Sequence, residues 1–591
     1  MSQEIDALRA LLDRFRLEVS TLRQSSGTEN ITIGSYLLTR LEQLGVTSMF
    51  GLPGDFNLAF LDLVEDHPKI DWVGNCSSNE LNAAYAADGY ARVKETSLGV
   101  ITTTFGVGEL SAINGIAGSF SEMVPVLHIV GAPSTGQQKN RPLLHHTLGD
   151  GRYDAYSKAA QQFVVHESHI VNKANAAADI DTALVECITK ARPVYLTLPT
   201  DMVYEEISSE RLKIPLSSTR APNDPEKEDF VSNLIHERVK EAGGDVVILV
   251  DACVIRHHVR KETLEFLHKT GFPVFATPMG KSAVPEDYNR YGGTYIGNLS
   301  HNEVKESVEN AKLIISLGLL SSDFNTGNFS YHIPTNRHIE LHSDHCKVQF
   351  ARFEGIAFKY LLPKLADKLQ EFQKTALGIK VPSVHYPIPS EGSSTTITHA
   401  WFWPRLSTFF QPKDVVVTET GTSNFGIADS TLPEGVILLN QILWGSIGWS
   451  VGSALGAALA ARDVGLNRTI LFVGDGSLQL TVQELSTMIR KGVTPIIFVL
   501  NNKGYTIEKF IHGKHRAYND IADWDLKALL NTFNAKQTHK TASYTVHTKS
   551  ELDELLGKAD FAKADKIQLV EVMMEALDAP PAMLRQWDSK K

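Results

Sequence analysis

The sequence predicts an α/β protein of three doubly wound, parallel-sheet domains, and three observations carry that prediction. A chain of 591 residues is longer than one hydrophobic core ordinarily serves, so two to four domains are expected. Two stretches, 214–228 and 381–396, collect Pro, Ser, Gly and Asn, a composition that interrupts helix and strand alike. Within each of the resulting thirds, short β-branched runs alternate with helical periodicity, at 126–130, 246–250, 313–317, 415–417, 469–473 and 496–500. Apolar runs this short, separated by helices, read as strands buried on both faces of a parallel sheet. The boundaries that follow are 30–214, 229–380 and 397–591, with residues 1–29 as a helical extension.

In that extension Ile5, Leu8, Leu11, Leu12, Phe15 and Val19 recur at helical spacing, which predicts an amphipathic helix. Glu4, Asp6, Asp13 and Glu18 argue against an acid-poor transit peptide. The helix is open to two readings, packing on the domain surface or contacting another subunit.

Hydrophobic residues at 43% and charged residues at 21% place the chain among globular proteins rather than disordered ones. A net charge of −11 disfavours nucleic acid as a partner, since phosphate backbones need concentrated Lys and Arg. Cys76, Cys187, Cys253 and Cys346 are far apart with no CxxC spacing, so neither a zinc site nor a disulfide framework is indicated. No apolar run reaches membrane-spanning length. A cytoplasmic, reducing compartment is the expectation.

The strongest local signal is Gly474-Asp475-Gly476-Ser477, directly after the run 469–473 and before a helical pattern at 481–490. The next run, 495–500, ends in Asn501-Asn502-Lys503-Gly504. In a right-handed β-α-β unit both strands end at one edge, which brings Asp475 and Asn502 together. A carboxylate, an amide oxygen and a backbone carbonyl suit a hard cation such as Mg²⁺, while glycines and a helix N-terminus suit a diphosphate. Gly106-Val107-Gly108 is a weaker signal, because it lacks the third glycine of a dinucleotide fingerprint.

Four further motifs join this one: Gly51-Leu52-Pro53-Gly54-Asp55-Phe56-Asn57, the segment Asn79-Glu80 through Arg92, Leu144-His145-His146-Thr147-Leu148-Gly149, and Gly504-Tyr505-Thr506-Ile507-Glu508. Together, from about Thr32 onward, they resemble the thiamine diphosphate-dependent 2-oxo acid decarboxylases, and within them the fungal-type pyruvate decarboxylases. The resemblance names the domains pyrimidine-binding, middle and diphosphate-binding. It implies a carboxy-lyase of fermentative metabolism that converts pyruvate to acetaldehyde and CO₂ through a carbanion and enamine at the cofactor's C2. Thiamine diphosphate and Mg²⁺ are the implied cofactors. Because first- and third-domain residues meet across a subunit interface in the family, it also implies at least a homodimer, and a homotetramer as a dimer of dimers.

Site residues are implied one by one. Glu80 bonds the cofactor pyrimidine, and Asp55, His145, His146 and Glu508 handle protons. Thr420, Thr422, Gly476, Ser477 and Tyr505 hold the cofactor, with Asp475, Asn502 and Gly504 at the metal. In Leu443-Trp444-Gly445-Ser446-Ile447 the cofactor's bent form is propped, with Gly445 accepting from the pyrimidine, Ser446 beside it and Ile447 as wedge. Ile507 and Ile511, one helical turn apart, narrow the substrate pocket toward a methyl group. Asn424 stands where relatives carry an apolar residue and puts the pocket's width in doubt. Two rival readings are a decarboxylase of larger 2-oxo acids (phenylpyruvate, indolepyruvate, branched-chain) and an inactive assembly protein.

Three segments carry separate expectations. Residues 134–144 have no apolar period and are expected to be a lid, less ordered than the flanking strand until the site is filled. Cys253 matches a cysteine proposed to sense substrate in the family, but the Glu-His pair of that relay reads Glu122-Met123 here, so a buried structural thiol is expected. The middle third, with Leu317-Gly318 and His342-Ser343-Asp344, carries no complete fingerprint.

Overall fold

The computed structural model describes residues 30–74, 79–95, 97–382, 386–389 and 394–588. The predicted N-terminal helix and Cys76 lie outside the described residues.

Among the described residues each third holds one large sheet, and a two-stranded antiparallel pair joins Asn30–Thr32 to Glu206–Ser208. The first large sheet runs, from edge to edge, Asp71–Gly74, Ser48–Gly51, Gly99–Thr104, Val126–Ala132, Val194–Pro199 and Glu167–His169, all parallel. The third repeats that pattern with Ile437–Leu439, Val415–Thr418, Thr469–Gly474, Ile496–Asn501, Ile567–Met573 and Thr541–Val546. Numbered along the chain, both sheets have strand order 2-1-3-4-6-5. In such sheets the strand order reverses at a switch point, and ligands bind at the carboxyl ends of the strands there. The middle sheet has a parallel portion, Tyr291–Thr294, Val274–Ala276, Val246–Val250, Leu313–Leu317 and His338–Leu341. His345–Val348 and Ala351–Glu354 then close it as antiparallel strands.

The short apolar runs are strands because both of their faces are covered: every residue of Val246–Val250, Leu313–Leu317 and Ile496–Asn501 is buried. The stretch 214–228 is shorter as a linker than its composition suggests. The helix Pro225–Glu241 begins inside it, with Pro225 in the first turn and Asp224 accepting from the Lys227 N–H, a proper proline position and cap.

The first and third domains join through two helices, Glu80–Val93 and Trp449–Val464. Small residues let their backbones touch. A Cβ on Gly452 would meet the Tyr85 Cβ at 2.8 Å, and one on Gly89 would meet the Ser453 Cα at 2.6 Å. A buried charge cluster locks the seam. Arg92 is 2.6 Å from Asp88, lies 4.8 Å over the Trp449 ring, and donates to the Asn440 carbonyl, while the Trp449 indole donates to Asp88. The contact directs Glu80, at the helix start, toward the carboxyl edge of its sheet.

Candidate active site

At the carboxyl ends of the third sheet's central strands lies a cavity of about 550 Å³. Strand 415–418 delivers Glu419 to Thr422, strand 469–474 delivers Asp475 to Ser477, and strand 496–501 delivers Asn502 and Gly504. The helix Thr506–Ile511 adds Ile507, Glu508 and Ile511 to the walls, and Gly445 and Ile447 close one side. Phe324, from the middle domain, is also a wall, and nothing in its sequence surroundings marks it out.

Asp475 is buried and accepts from the Gly476 N–H at 2.9 Å and the Gly504 N–H at 3.2 Å. Burial raises its carboxyl above the usual range, with those backbone N–H groups opposing the rise. The Asn502 amide oxygen faces the Gly504 carbonyl oxygen at 2.8 Å and Asp475 Oδ1 at 3.3 Å, and its nitrogen faces the Thr506 hydroxyl at 2.8 Å. Turning the amide over would trade the oxygen contacts for hydrogen bonds, but then the Thr506 hydroxyl would have to donate to it. That hydroxyl already donates to the Ala576 carbonyl and has one proton to give. The orientation with the amide oxygen toward Gly504 and Asp475 is therefore the consistent one. It leaves three oxygens, from Asp475, Asn502 and Gly504, converging with no hydrogen between them, which a hard cation with oxygen ligands relieves. Gly504 has a φ of 118°, a conformation that favours glycine.

Glu419, which sequence reasoning left without a role, organises the opposite wall. It accepts from the Thr420 N–H at 2.9 Å, the Ser450 N–H at 3.2 Å and the Ser450 hydroxyl at 2.6 Å. It is buried, and burial pushes its carboxyl up to about 7 against those hydrogen bonds. Its position next to Thr420, at a strand end, was the available signal.

Segment 443–446 is pinned to the first domain. Glu122 accepts from the Leu443 and Trp444 N–H groups at 2.7 and 3.1 Å, and the Trp444 indole donates to Asn114. This leaves Gly445, at φ 64°, facing the cavity. Ser446 departs from expectation, since its hydroxyl is 2.6 Å from the Tyr85 hydroxyl and accepts from Asn114, away from the cavity walls. Asn424 departs as well. It is buried, accepts from the Thr418 hydroxyl at 2.7 Å and donates to the Gln441 carbonyl, so it satisfies interior polar groups and does not set the width of the pocket. Ile507 and Ile511 do line the cavity.

The remaining predicted residues gather at the edge of the first sheet. Asp55 Oδ2 is 2.5 Å from His145 Nε2, and Asp55 Oδ1 is 3.9 Å from His146 Nε2. His145 stacks on Phe56 with ring centroids 5.1 Å apart. Both imidazoles reach one carboxylate because His146 has φ 63°, which breaks the alternation of side chains along an extended strand. Glu80 follows the cap Asn79 and is raised by burial, with a Ser111 hydrogen bond opposing. Gly108 leaves it room, since a Cβ there would lie 3.0 Å from its carboxylate. None of Asp55, Glu80, His145 or His146 is among the cavity's walls within the chain. The two halves of the expected site are separate within the chain.

Segment 134–144 is more structured than its lack of apolar period suggests. Thr135–Asn140 is a helix whose cap Ser134 accepts from the Gln137 N–H, and the Thr135 N–H donates to Asp201. Polar capping supplied what apolar spacing did not. Cys253 is fully buried with Sγ 3.2 Å from the Met123 sulfur, and burial raises its thiol, as a structural thiol would have it.

Three family patterns match the chain: the N-terminal TPP binding domain of thiamine pyrophosphate enzymes over residues 31–158, their central domain over 236–356, and their C-terminal TPP binding domain over 420–572. The chain belongs to the thiamine pyrophosphate enzyme family. It is 48% identical to pyruvate decarboxylase isozyme 2 of Saccharomyces cerevisiae, over 94% of this chain and 98% of that protein. It is also 47% identical to the pyruvate decarboxylases of Aspergillus fumigatus and Candida glabrata, over 94% of this chain and 96% and 97% of those proteins. Thiamine diphosphate is the cofactor of this family member, and the glycine-lined, oxygen-rich cavity fits it. Among the described residues no helix is long and apolar enough to cross a membrane.

Proposed function

We propose that this protein is a cytoplasmic carboxy-lyase that decarboxylates pyruvate to acetaldehyde and CO₂, with Mg²⁺ held by Asp475, Asn502 and the Gly504 carbonyl. The convergence of those three oxygens in a cavity walled by Ile507 and Ile511 carries the reading. Bound thiamine diphosphate supplies the electron sink that carbon–carbon cleavage beside a carbonyl requires. Thr420, Thr422, Gly476, Ser477 and Tyr505 are the residues to hold its diphosphate side, and Gly445 and Ile447 the other. Glu80, its carboxyl raised by burial, is the residue to share a proton with the pyrimidine. The Asp55–His145 pair, His146 and Glu508 move protons on the substrate side, each such group contributing about 10²–10⁴-fold.

Because Asp55, Glu80, His145 and His146 are not walls of the cavity in one chain, a second copy supplies them. The active unit is then a homodimer at least, and a homotetramer is its natural doubling. The two isoleucines favour a methyl-sized substituent over the aromatic or branched side chains of larger 2-oxo acids. The test is acetaldehyde production from pyruvate with and without thiamine diphosphate and Mg²⁺. Activity that needs neither would overturn the assignment, and higher kcat/KM on phenylpyruvate would move it to the larger acids.

A further inference from the structure

A second group of metal-ligating side chains lies in the middle domain, away from the cavity described above. Strands His338–Leu341 and His345–Val348 pair antiparallel with Leu341 opposite Cys346, and the His342 N–H donates to the His345 carbonyl at 2.9 Å. Ser343 and Asp344 are therefore a two-residue turn, and His342 and His345 are a cross-strand pair. Directly opposed residues of a hairpin put their side chains on one face. The imidazoles accordingly stack, with centroids 5.1 Å apart and planes 10° from parallel. Asp344, in the turn, places Oδ1 2.7 Å from His345 Nδ1. One ligand atom from each of the three residues falls within 4.8 Å of the other two. Cys346 points the other way, buried with its thiol toward the Ile356 carbonyl, and is not part of the group.

Two features separate this group from a chance surface cluster. His342 is 9% exposed, so its ring is held by packing rather than turning freely in solvent. The opening is also one-sided, since His345 keeps 16% of its side-chain surface and Asp344 50%, which gives an ion a way in and room for water as a fourth ligand.

We infer that His342, Asp344 and His345 bind a borderline-soft divalent ion, Zn²⁺ or Co²⁺, distinct from the oxygen site at Asp475. Two imidazoles and a carboxylate with an open position match the ligand set and number of such ions, whereas Mg²⁺ prefers oxygen alone. Arg220 also acts on Asp344 and opposes the added positive charge, so the affinity falls below that of a closed four-ligand zinc site. The ion would fasten the hairpin turn beside a cavity of about 190 Å³ lined by Thr189, Arg220, His257 and Ser343, where the first and middle domains face each other.

The test uses the full-length holoenzyme with thiamine diphosphate and excess Mg²⁺, so that the oxygen site is filled before Co²⁺ is titrated. Uptake of one Co²⁺ per chain is expected, with the intense visible absorption of a low-coordinate nitrogen–oxygen site, displaced by Zn²⁺. His345→Ala and the shape-conserving Asp344→Asn should each weaken uptake at least about tenfold. His145→Ala, in the other histidine cluster, should leave it intact. Absence of saturable uptake, equal uptake by His345→Ala and Asp344→Asn, or loss in His145→Ala would each overturn the inference.

Discussion

The seam between helices Glu80–Val93 and Trp449–Val464 is a direct consequence of glycine placement, and replacing Gly456 with Ala tests it. A Cβ at Gly456 would overlap the Ala86 carbonyl oxygen, 2.7 Å from its carbon and 2.8 Å from the Tyr90 nitrogen. All three atoms are backbone, so no side chain can swing aside and the helices themselves have to part. Overpacking of this kind costs about 1–3 kcal/mol. The substitution also gains about 1 kcal/mol of helix propensity, since Gly is the poorer helix former. The overlap wins because it involves three backbone atoms at once, leaving a net loss of up to about 2 kcal/mol. Gly136→Ala is the matched control. It lies in the helix Thr135–Asn140, where an added Cβ meets nothing within 4 Å, so the same chemical change should be neutral or stabilising by up to about 1 kcal/mol. Urea unfolding of both variants beside the parent reads the two signs. Because the seam positions Glu80, decarboxylation should fall in the first variant. Equal or greater stability of Gly456→Ala would refute the close-contact argument.

Four other outcomes are expected. Asp475→Ala removes one of three converging oxygens, so restoring activity after metal stripping should require at least about tenfold more Mg²⁺; an unchanged Mg²⁺ requirement counts against the site. Glu80→Gln should slow proton exchange at the cofactor's reactive carbon by orders of magnitude while the cofactor stays bound, and near-normal exchange by NMR would contradict its role. Ile507→Ala should raise the phenylpyruvate-to-pyruvate ratio of kcat/KM by about ten- to a hundredfold, the worth of about 1–3 kcal/mol of crowding, and a parent enzyme already favouring phenylpyruvate would sink the pocket argument. Glu419 titrates at about 7 in the fold against 4.5 for the free side chain, so the unfolded chain gives up its proton first. The stability this proton lends is complete below pH 4.5 and lost as pH climbs to about 7, at up to about 1.4 kcal/mol per unit. The stability of the parent should therefore fall relative to that of Glu419→Gln over that window; a difference that stays constant with pH would place the proton elsewhere.

What the sequence by itself determined was local or followed from chain order. The runs at 246–250 and 313–317 are strands over those same residues, because burial on both faces leaves an unbroken apolar signature. The meeting of Asp475 and Asn502 followed from the handedness of one β-α-β unit, which needs no knowledge of distant contacts. Thr135–Asn140 shows the limit of periodicity, since polar caps hold a short helix that buries none of its residues. Tertiary structure decided where side chains point. Ser446 and Asn424 adjoin cavity residues in sequence, yet partners far along the chain, Tyr85 and Asn114 for one and Gln441 for the other, turn them away. Glu122 and Glu419 acquire their roles from N–H groups they meet only in the fold, and Phe324 reaches the cavity from another domain. The pairing of His342 with His345 likewise awaited the hairpin register. Backbone form follows from short-range sterics and hydrophobic period, whereas a polar side chain takes whichever partner the assembled fold leaves unsatisfied, and that partner is not encoded beside it.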